Sequence, residues 1–290
     1  MNDAGRVGAN AHESDSPTAV CLTFEFDGAA LWAGTFGATS ASDLSRGDFE
    51  QIAVPRILET LARFDVRATW FIPGATAQLH GDLVRRVVDL GHEVAHHGWG
   101  HEKLAESDSD NRRALERGIA VLEELCGSPP RGYRVPGGFM TNRQLKLIQE
   151  YGFVWDSSLH GSDFTAYFVR VDDVITSDGS MVHGSITDLV EVPVSWQLDD
   201  FPAFEFVWGF NGGLRPPSHV LEIWQGDFSY MRRNVPDGVF SACLHTQVVG
   251  RGHRMLFLED MLAYMSGTGS VAYETLSTYV DRWREAQSIE

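Results

Sequence analysis

The chain has 290 residues, 43% of them hydrophobic and 22% charged, which is enough for one large domain or two small ones with a sizeable core. Its 23 Lys and Arg against 40 Asp and Glu leave a net charge of −17, which excludes a basic nucleic-acid footprint and attachment to an anionic membrane surface. Cys21, Cys126 and Cys243 are odd in number, far apart and form no CxxC pair, so a disulfide framework and a zinc ribbon are excluded as well. In chain order, residues 1–16 are polar, lack the apolar run of a signal peptide and read as a flexible leader. With no run near the ~20 apolar residues of a membrane span, a cytoplasmic protein is expected. Residues 19–26 read as a buried strand. From Asp48, the side chains Phe49, Ile52, Ile57, Leu58, Leu61 and Phe64 recur at helical spacing. Residues 67–72 form a second strand stopped by Pro73 and Gly74, 79–90 a helix ended by Gly91, and 92–96 a third strand. Ser107 or Asp108 caps a helix that carries Leu115, Ile119, Leu122 and Leu125 and stops at Gly127.

The rhythm then loosens. Strands are expected at 131–134, 153–157, 189–194, 239–245 and near Val271, and helices at 142–151, 217–233, 254–265 and from Thr275. The stretch 172–186, centred on Asp178 and Gly179, reads as an inserted hairpin. Repeated strand–helix units predict an α/β fold, a distorted or incomplete barrel of about seven parallel strands, with 17–290 as a single domain.

In such folds chemistry gathers where strands end. The first strand ends in Glu25 and Asp27, two residues apart and so on one face. The third runs into His97 and His101, whose spacing would stack two imidazoles on one face if a helical turn follows the strand. Together with an aligned carboxylate they make a donor set for zinc or another borderline divalent ion with positions left open. Arg134 ends the fourth strand before a Pro-Gly turn and can hold a carboxylate. His245 stands at the tip of the strand 239–244, where it can give a proton to a departing nitrogen. Each of these residues also has a plain alternative as a cap, core or surface side chain.

These strand ends resemble the polysaccharide deacetylase superfamily, also called the NodB-homology domain or carbohydrate esterase family 4, over nearly the whole chain. The segment Thr23 to Gly28 resembles its first motif, Gly91 to His101 the second, Arg134 with Pro136 the arginine motif, and Leu244 with His245 the leucine–histidine motif. The resemblance implies that Asp27, His97 and His101 hold one divalent metal ion, Zn2+, that Glu25 is the base and that His245 is the acid. Arg134 and Asp156, with Asp163 as the alternate, are then the residues that orient Glu25 and His245. The family's usual base is aspartate, so Glu25 departs from the pattern by one methylene. Segments such as Ser45 to Phe49 and Val194 to Asp200 are similar to a cytoplasmic branch with peptidoglycan-deacetylase-like proteins, cyclic imide hydrolases and allantoinases, often homotetramers with a site partly closed by neighbouring subunits. The implied function is metal-dependent N-deacetylation of an N-acetylated sugar. The alternative is ring opening of a small cyclic imide or ureide, and the minor one is an inactive binding protein. Trp196, Phe201, Phe204, Phe206 and Trp208 line a small pocket or pack in the core. The expected partner is a small-molecule or sugar amide substrate, with no nucleic acid and no membrane. His92, His96 and His160 are further candidates for lining the site.

Overall fold

A computed structural model describes residues 17–102 and 107–288. The apolar runs become strands β1 (Thr18–Glu25), β2 (Thr69–Ile72), β3 (Glu93–His96), β4 (Gly132–Tyr133), β5 (Trp155–Asp156) and β6 (Tyr167–Val171). They continue as β7 (Val174–Ile175), β8 (Met181–Val182), β9 (Ser185–Glu191), β10 (Val239–His245) and β11 (Val271–Tyr273). The main sheet runs β10-β1-β2-β3-β4-β5-β9-β6, and β11 pairs with the start of β1. Neighbours are parallel except β6 against β9. The sheet curls into a partial barrel, as the strand–helix rhythm predicts.

Alternation along β1 explains the two layers. Val20, Leu22 and Phe24 face outward against the helices Glu50–Arg63 and Gly252–Gly267. Ala19 and Cys21 face inward with Phe71, Ala95, Trp155 and Val190. The C-terminal helix Leu276–Gln287 covers the N-terminal ends of the strands: Leu276, Tyr279 and Val280 join the inner cluster, and Ser277 accepts from Trp155 Nε1 at 2.9 Å. That leaves the C-terminal ends for the site.

Where β10 and β6 end the sheet, irregular chain spans the seam. Val239 N–H donates to the Phe164 carbonyl at 2.8 Å, and Asp199 makes an isolated bridge to Cys243. This second bridge brings Asp199 and Asp200 to the end of β10.

Three local expectations change. The helix expected at 79–90 is Gly81–Asp89, and an unexpected helix, Gly74–Leu79, precedes it across a break at His80. Strand β6 carries no sequence signal strong enough to separate it from the hairpin that follows. The expected helical turn between His97 and His101 is a loop, because Gly98 takes φ +74° and His101 itself takes φ +56°. The leader expected at 1–16 lies outside the described residues. Among the described residues no helix is long and apolar enough to cross a membrane.

Candidate active site

Parallel pairing sets Glu25 of β1 directly opposite His245 of β10. Past the strand, Gly28 turns at φ +58°, and two contacts fix the turn. Its N–H donates to buried Glu50 Oε1 at 3.3 Å, and Thr76 Oγ1 donates to the Asp27 carbonyl at 2.5 Å. From the end of β2, beside β3, Gly74 and Ala75 donate to the carbonyls of Gly98 and Trp99. These bonds pin the loop that carries His97 and His101. A side chain at Gly98 would meet Pro136, so glycine is needed for both its φ and its close approach.

The result is a convergent cluster. Ligand atoms of Glu25, Asp27, His97 and His101 all lie within 4.8 Å of one another. His97 Nε2 is 3.6 Å from Asp27 Oδ1, and His101 Nε2 is 3.7 Å from the same atom. Both Asp27 oxygens and both Nε2 atoms are buried without a hydrogen-bond partner. Four such orphaned atoms facing one another are costly unless a cation satisfies them. The far ring nitrogens are occupied: His97 Nδ1 meets the Arg134 carbonyl at 2.9 Å and His101 Nδ1 meets Thr35 Oγ1 at 2.5 Å. Thr35 donates to the His101 carbonyl, so its oxygen is free to accept from Nδ1–H. Each ring then turns its Nε2 inward, where a cation would take the lone pair; without one, burial opposes a charge on His97 but Glu25 and Asp27 outweigh it and raise that imidazole above its ordinary value. An edge of ~3.3–3.4 Å, the separation of donors ~2.0–2.1 Å from a tetrahedral zinc, is close to these distances. Burial and the His97 charge bring His101 down to about 3, and burial with the Glu25 charge pushes Asp27 up to about 6. The residues present fit one divalent cation.

Glu25 has two differently employed oxygens. Oε2 lies 3.0 Å from His245 Nε2 and 3.4 Å from His97 Nε2. Oε1 accepts from Arg134 Nη1 at 3.3 Å and from Cys243 Sγ at 3.2 Å. Burial works against ionisation of Glu25, but the neighbouring His245 and His97 outweigh it and hold the carboxylate well below its usual range. Burial likewise opposes a charge on His245, and Glu25 and Asp199 outweigh it, raising the imidazole well above its ordinary value. His245 Nδ1 meets Asp200 Oδ1 at 2.9 Å, with Asp199 Oδ1 at 3.6 Å. The same Asp200 oxygen accepts the His245 backbone N–H at 2.9 Å. A charged imidazole held at both nitrogens is a poised proton donor.

Arg134 and Asp156, expected to share the orienting role, are not equivalent. Arg134 stands behind Glu25, its Nε on the Ser157 carbonyl at 2.7 Å, its Nη2 on Ser157 Oγ at 2.8 Å and its Nη1 also on Thr23 Oγ1 at 2.9 Å. Asp156 instead accepts from Ser158 Oγ at 2.8 Å and pairs with Glu191, whose own Oε1 takes the N–H groups of Ser158 and Leu159 at 2.8 Å. Burial pushes Asp156 up to about 6, and burial with the Asp156 charge lifts Glu191 well above the carboxylate range. The structure therefore puts Asp200, not Asp156, against His245. Asp163 is exposed and caps its own turn through the Phe164 N–H. Asp199 and Asp200 could have been singled out in the sequence only by knowing that 199 bridges Cys243, a contact between residues 44 positions apart.

The remaining histidines leave the site. His96 is buried outside it against Leu115, His92 packs on Trp70, and exposed His160 stacks on Trp196. The aromatic stretch divides. Phe204 is core against Phe257, Phe201 lies 5.0 Å from the His245 ring, and Trp208 is 89% exposed.

Comparison with known proteins agrees with this geometry. Residues 32–155 match the polysaccharide deacetylase family model. A peptidoglycan deacetylase of Helicobacter pylori is 31% identical over 277 residues, 90% of this chain and 94% of that one. A crystal structure of a polysaccharide deacetylase homologue from Mycobacterium smegmatis is 33% identical, covers 95% of this chain and 93% of its own, and superposes with a TM-score of 0.81. An allantoinase crystal structure is alike in fold alone, at 20% identity, 98% coverage of both chains and a TM-score of 0.75. On the strength of the nearly full-length relatives, the chain belongs to the polysaccharide deacetylase family.

Proposed function

We propose that the protein is a divalent-metal-dependent hydrolase that removes the acetyl group from an N-acetylated sugar, as its peptidoglycan deacetylase relative in Helicobacter pylori suggests. The observation that carries this reading is the cluster of orphaned donors on Asp27, His97 and His101 beside a paired Glu25 and His245. Asp27, His97 and His101 would hold the ion, and the two-imidazole, one-carboxylate set favours zinc. When bound, the ion supplies Lewis-acid polarisation of the substrate carbonyl and eases deprotonation of water.

The chain's own residues do the rest. Glu25 Oε2 takes the proton of the attacking water, and its low pKa keeps it ionised for that step. His245 Nε2, charged at the outset, gives a proton to the leaving nitrogen as the C–N bond breaks. The products are a carboxylate and an amine. Asp200 keeps Nδ1 occupied so that Nε2 faces the substrate, and Arg134 holds Glu25 from behind.

One observation favours a second reading, hydrolytic opening of a small cyclic imide or ureide. Glu25, Asp27, His97, His101, Arg134 and His245 are each less than a tenth exposed, a tighter enclosure than a polymer strand needs. The decisive experiment measures metal content and turnover of the wild type, His97→Ala and His101→Ala on N-acetylglucosamine oligomers, allantoin and succinimide. Acetate release from the oligomers alone supports the first reading, and imide or ureide opening alone supports the second. Full metal occupancy in both variants refutes the ligand assignment.

A further inference from the structure

Glu25 is long enough to need holding, and the guanidinium expected to hold it is already committed. Three of the donor directions of Arg134 go to the Ser157 carbonyl, Ser157 Oγ and Thr23 Oγ1 at 2.7–2.9 Å, while its contact with Glu25 Oε1 is the long one at 3.3 Å. Nη1 also reaches Cys243 Sγ at 3.3 Å, and a donor with four other duties makes a weak orienting bond. The second donor to the same oxygen is the thiol of Cys243, with Sγ 3.2 Å from Oε1, well inside sulfur hydrogen-bond range.

The thiol is placed for this by the sheet. Cys243 sits opposite Thr23 in the β1–β10 register, two residues before His245, and is only 2% exposed. Residues two apart on a strand share a face, so Cys243 and His245 both point into the barrel. One grips Oε1 and the other faces Oε2. Burial and the nearby Glu25 and Asp199 charges hold the thiol well above its ordinary value, so it has a proton to donate.

We propose that Cys243 is a positioning residue for Glu25: its S–H, together with Arg134, anchors Oε1 so that Oε2 is the oxygen presented to water and to His245. This rests on the reading of Glu25 as the base. The extra methylene of Glu25 adds a torsion whose freedom is paid in turnover if it is not fixed, because a reacting group must be held near its productive geometry.

The test pairs two measurements on the full chain. For activity, Cys243→Ala and Cys243→Ser are compared with the wild type for acetate release from N-acetylglucosamine oligomers, with metal content and Tm as controls. Cys243→Ala is expected to lower kcat about tenfold, with KM within about twofold and unchanged metal content, and Cys243→Ser, which restores a donor, to recover most of the loss. Unchanged kcat in Cys243→Ala, or a serine variant no better than alanine at equal Tm, overturns the proposal. Independently of any substrate, the S–H stretching band of Cys243 is isolated by infrared difference against Cys243→Ala. In the wild type it should lie at the lowered frequency of a thiol donating to a carboxylate, and in Glu25→Ala it should return to the free value. A band that does not move in Glu25→Ala shows that the thiol is not bonded to Glu25 and also overturns the proposal. Absence of wild-type turnover on these sugars refutes the deacetylase reading instead, and the band position still decides the role of the thiol.

Discussion

Glu50 offers a sharp test of the electrostatics around the Asp27 turn. It begins the helix Glu50–Arg63, is fully buried, and accepts the Gly28 N–H through Oε1 while Oε2 has no partner. Burial pushes it up to about 8, from an ordinary value of 4.5. The folded-state pKa is raised, so the folded chain binds a proton that the unfolded chain gives up from about pH 4.5. The associated stability is whole below that pH and is lost as pH rises through about 8. At ~1.4 kcal/mol per pH step, the loss between pH 5 and pH 8 is about 3–4 kcal/mol, a large part of a domain's total stability. Glu50→Gln keeps a carbonyl for Gly28 and removes the titration. Urea unfolding of chelator-dialysed protein, from pH 5 to pH 8, should show wild type losing about 3–4 kcal/mol more than Glu50→Gln. Parallel pH profiles for the two proteins would refute the burial argument.

Two further perturbations probe the frame around the chemistry. Asp200→Asn removes the charge that supports the His245 imidazolium and leaves the fold's packing, so kcat should fall about 100-fold with metal content intact; steady-state kinetics with metal analysis checks this. Gly118→Ala places a Cβ 2.2 Å from His96 Nε2, which is fully buried and bonded to the Leu115 carbonyl, so the variant should lose about 1–3 kcal/mol in denaturant unfolding without losing metal.

The fold was legible because its signals are local and redundant. β1 is buried along almost its whole length, the helix Asp108–Cys126 starts at a Ser107 cap and ends at Gly127 with φ +79°, and the hairpin around Gly179 uses the Asp-Gly pair that the turn demands. The misreadings came where tertiary contacts decide. β6 pairs antiparallel with a strand 14 residues further on, and its burial alternates around a register shift, so no uniform period announces it. The loop between His97 and His101 is set by Gly98 closing on Pro136 and by the bonds from Gly74 and Ala75, neither of which a four-residue spacing encodes.

At the site, the same division separates the ligands from their supports. Asp27, His97 and His101 lie at strand ends, where motif spacing alone places them. The groups that support the site come from elsewhere: Glu50, under the Gly28 turn, from a helix start, Thr35, on His101, from the helical segment Leu31–Thr35, and Asp200, on His245, from chain that spans the barrel seam. Asp156 had the better sequence position, since it ends a strand, yet a strand end only guarantees proximity to the rim. Which neighbour it faces depends on curl, and here β5 turns its carboxyl toward Glu191 of adjacent β9. Glu25 shows the complementary case. Its extra methylene is plain in the sequence, but its consequence is a distance. Shortening the side chain by one C–C bond, ~1.5 Å, would open the 3.0 Å contact with His245 beyond hydrogen-bond range. The longer acid is therefore what brings base and acid into direct contact, and the back-wall donors on Oε1 are what keep that reach from becoming disorder.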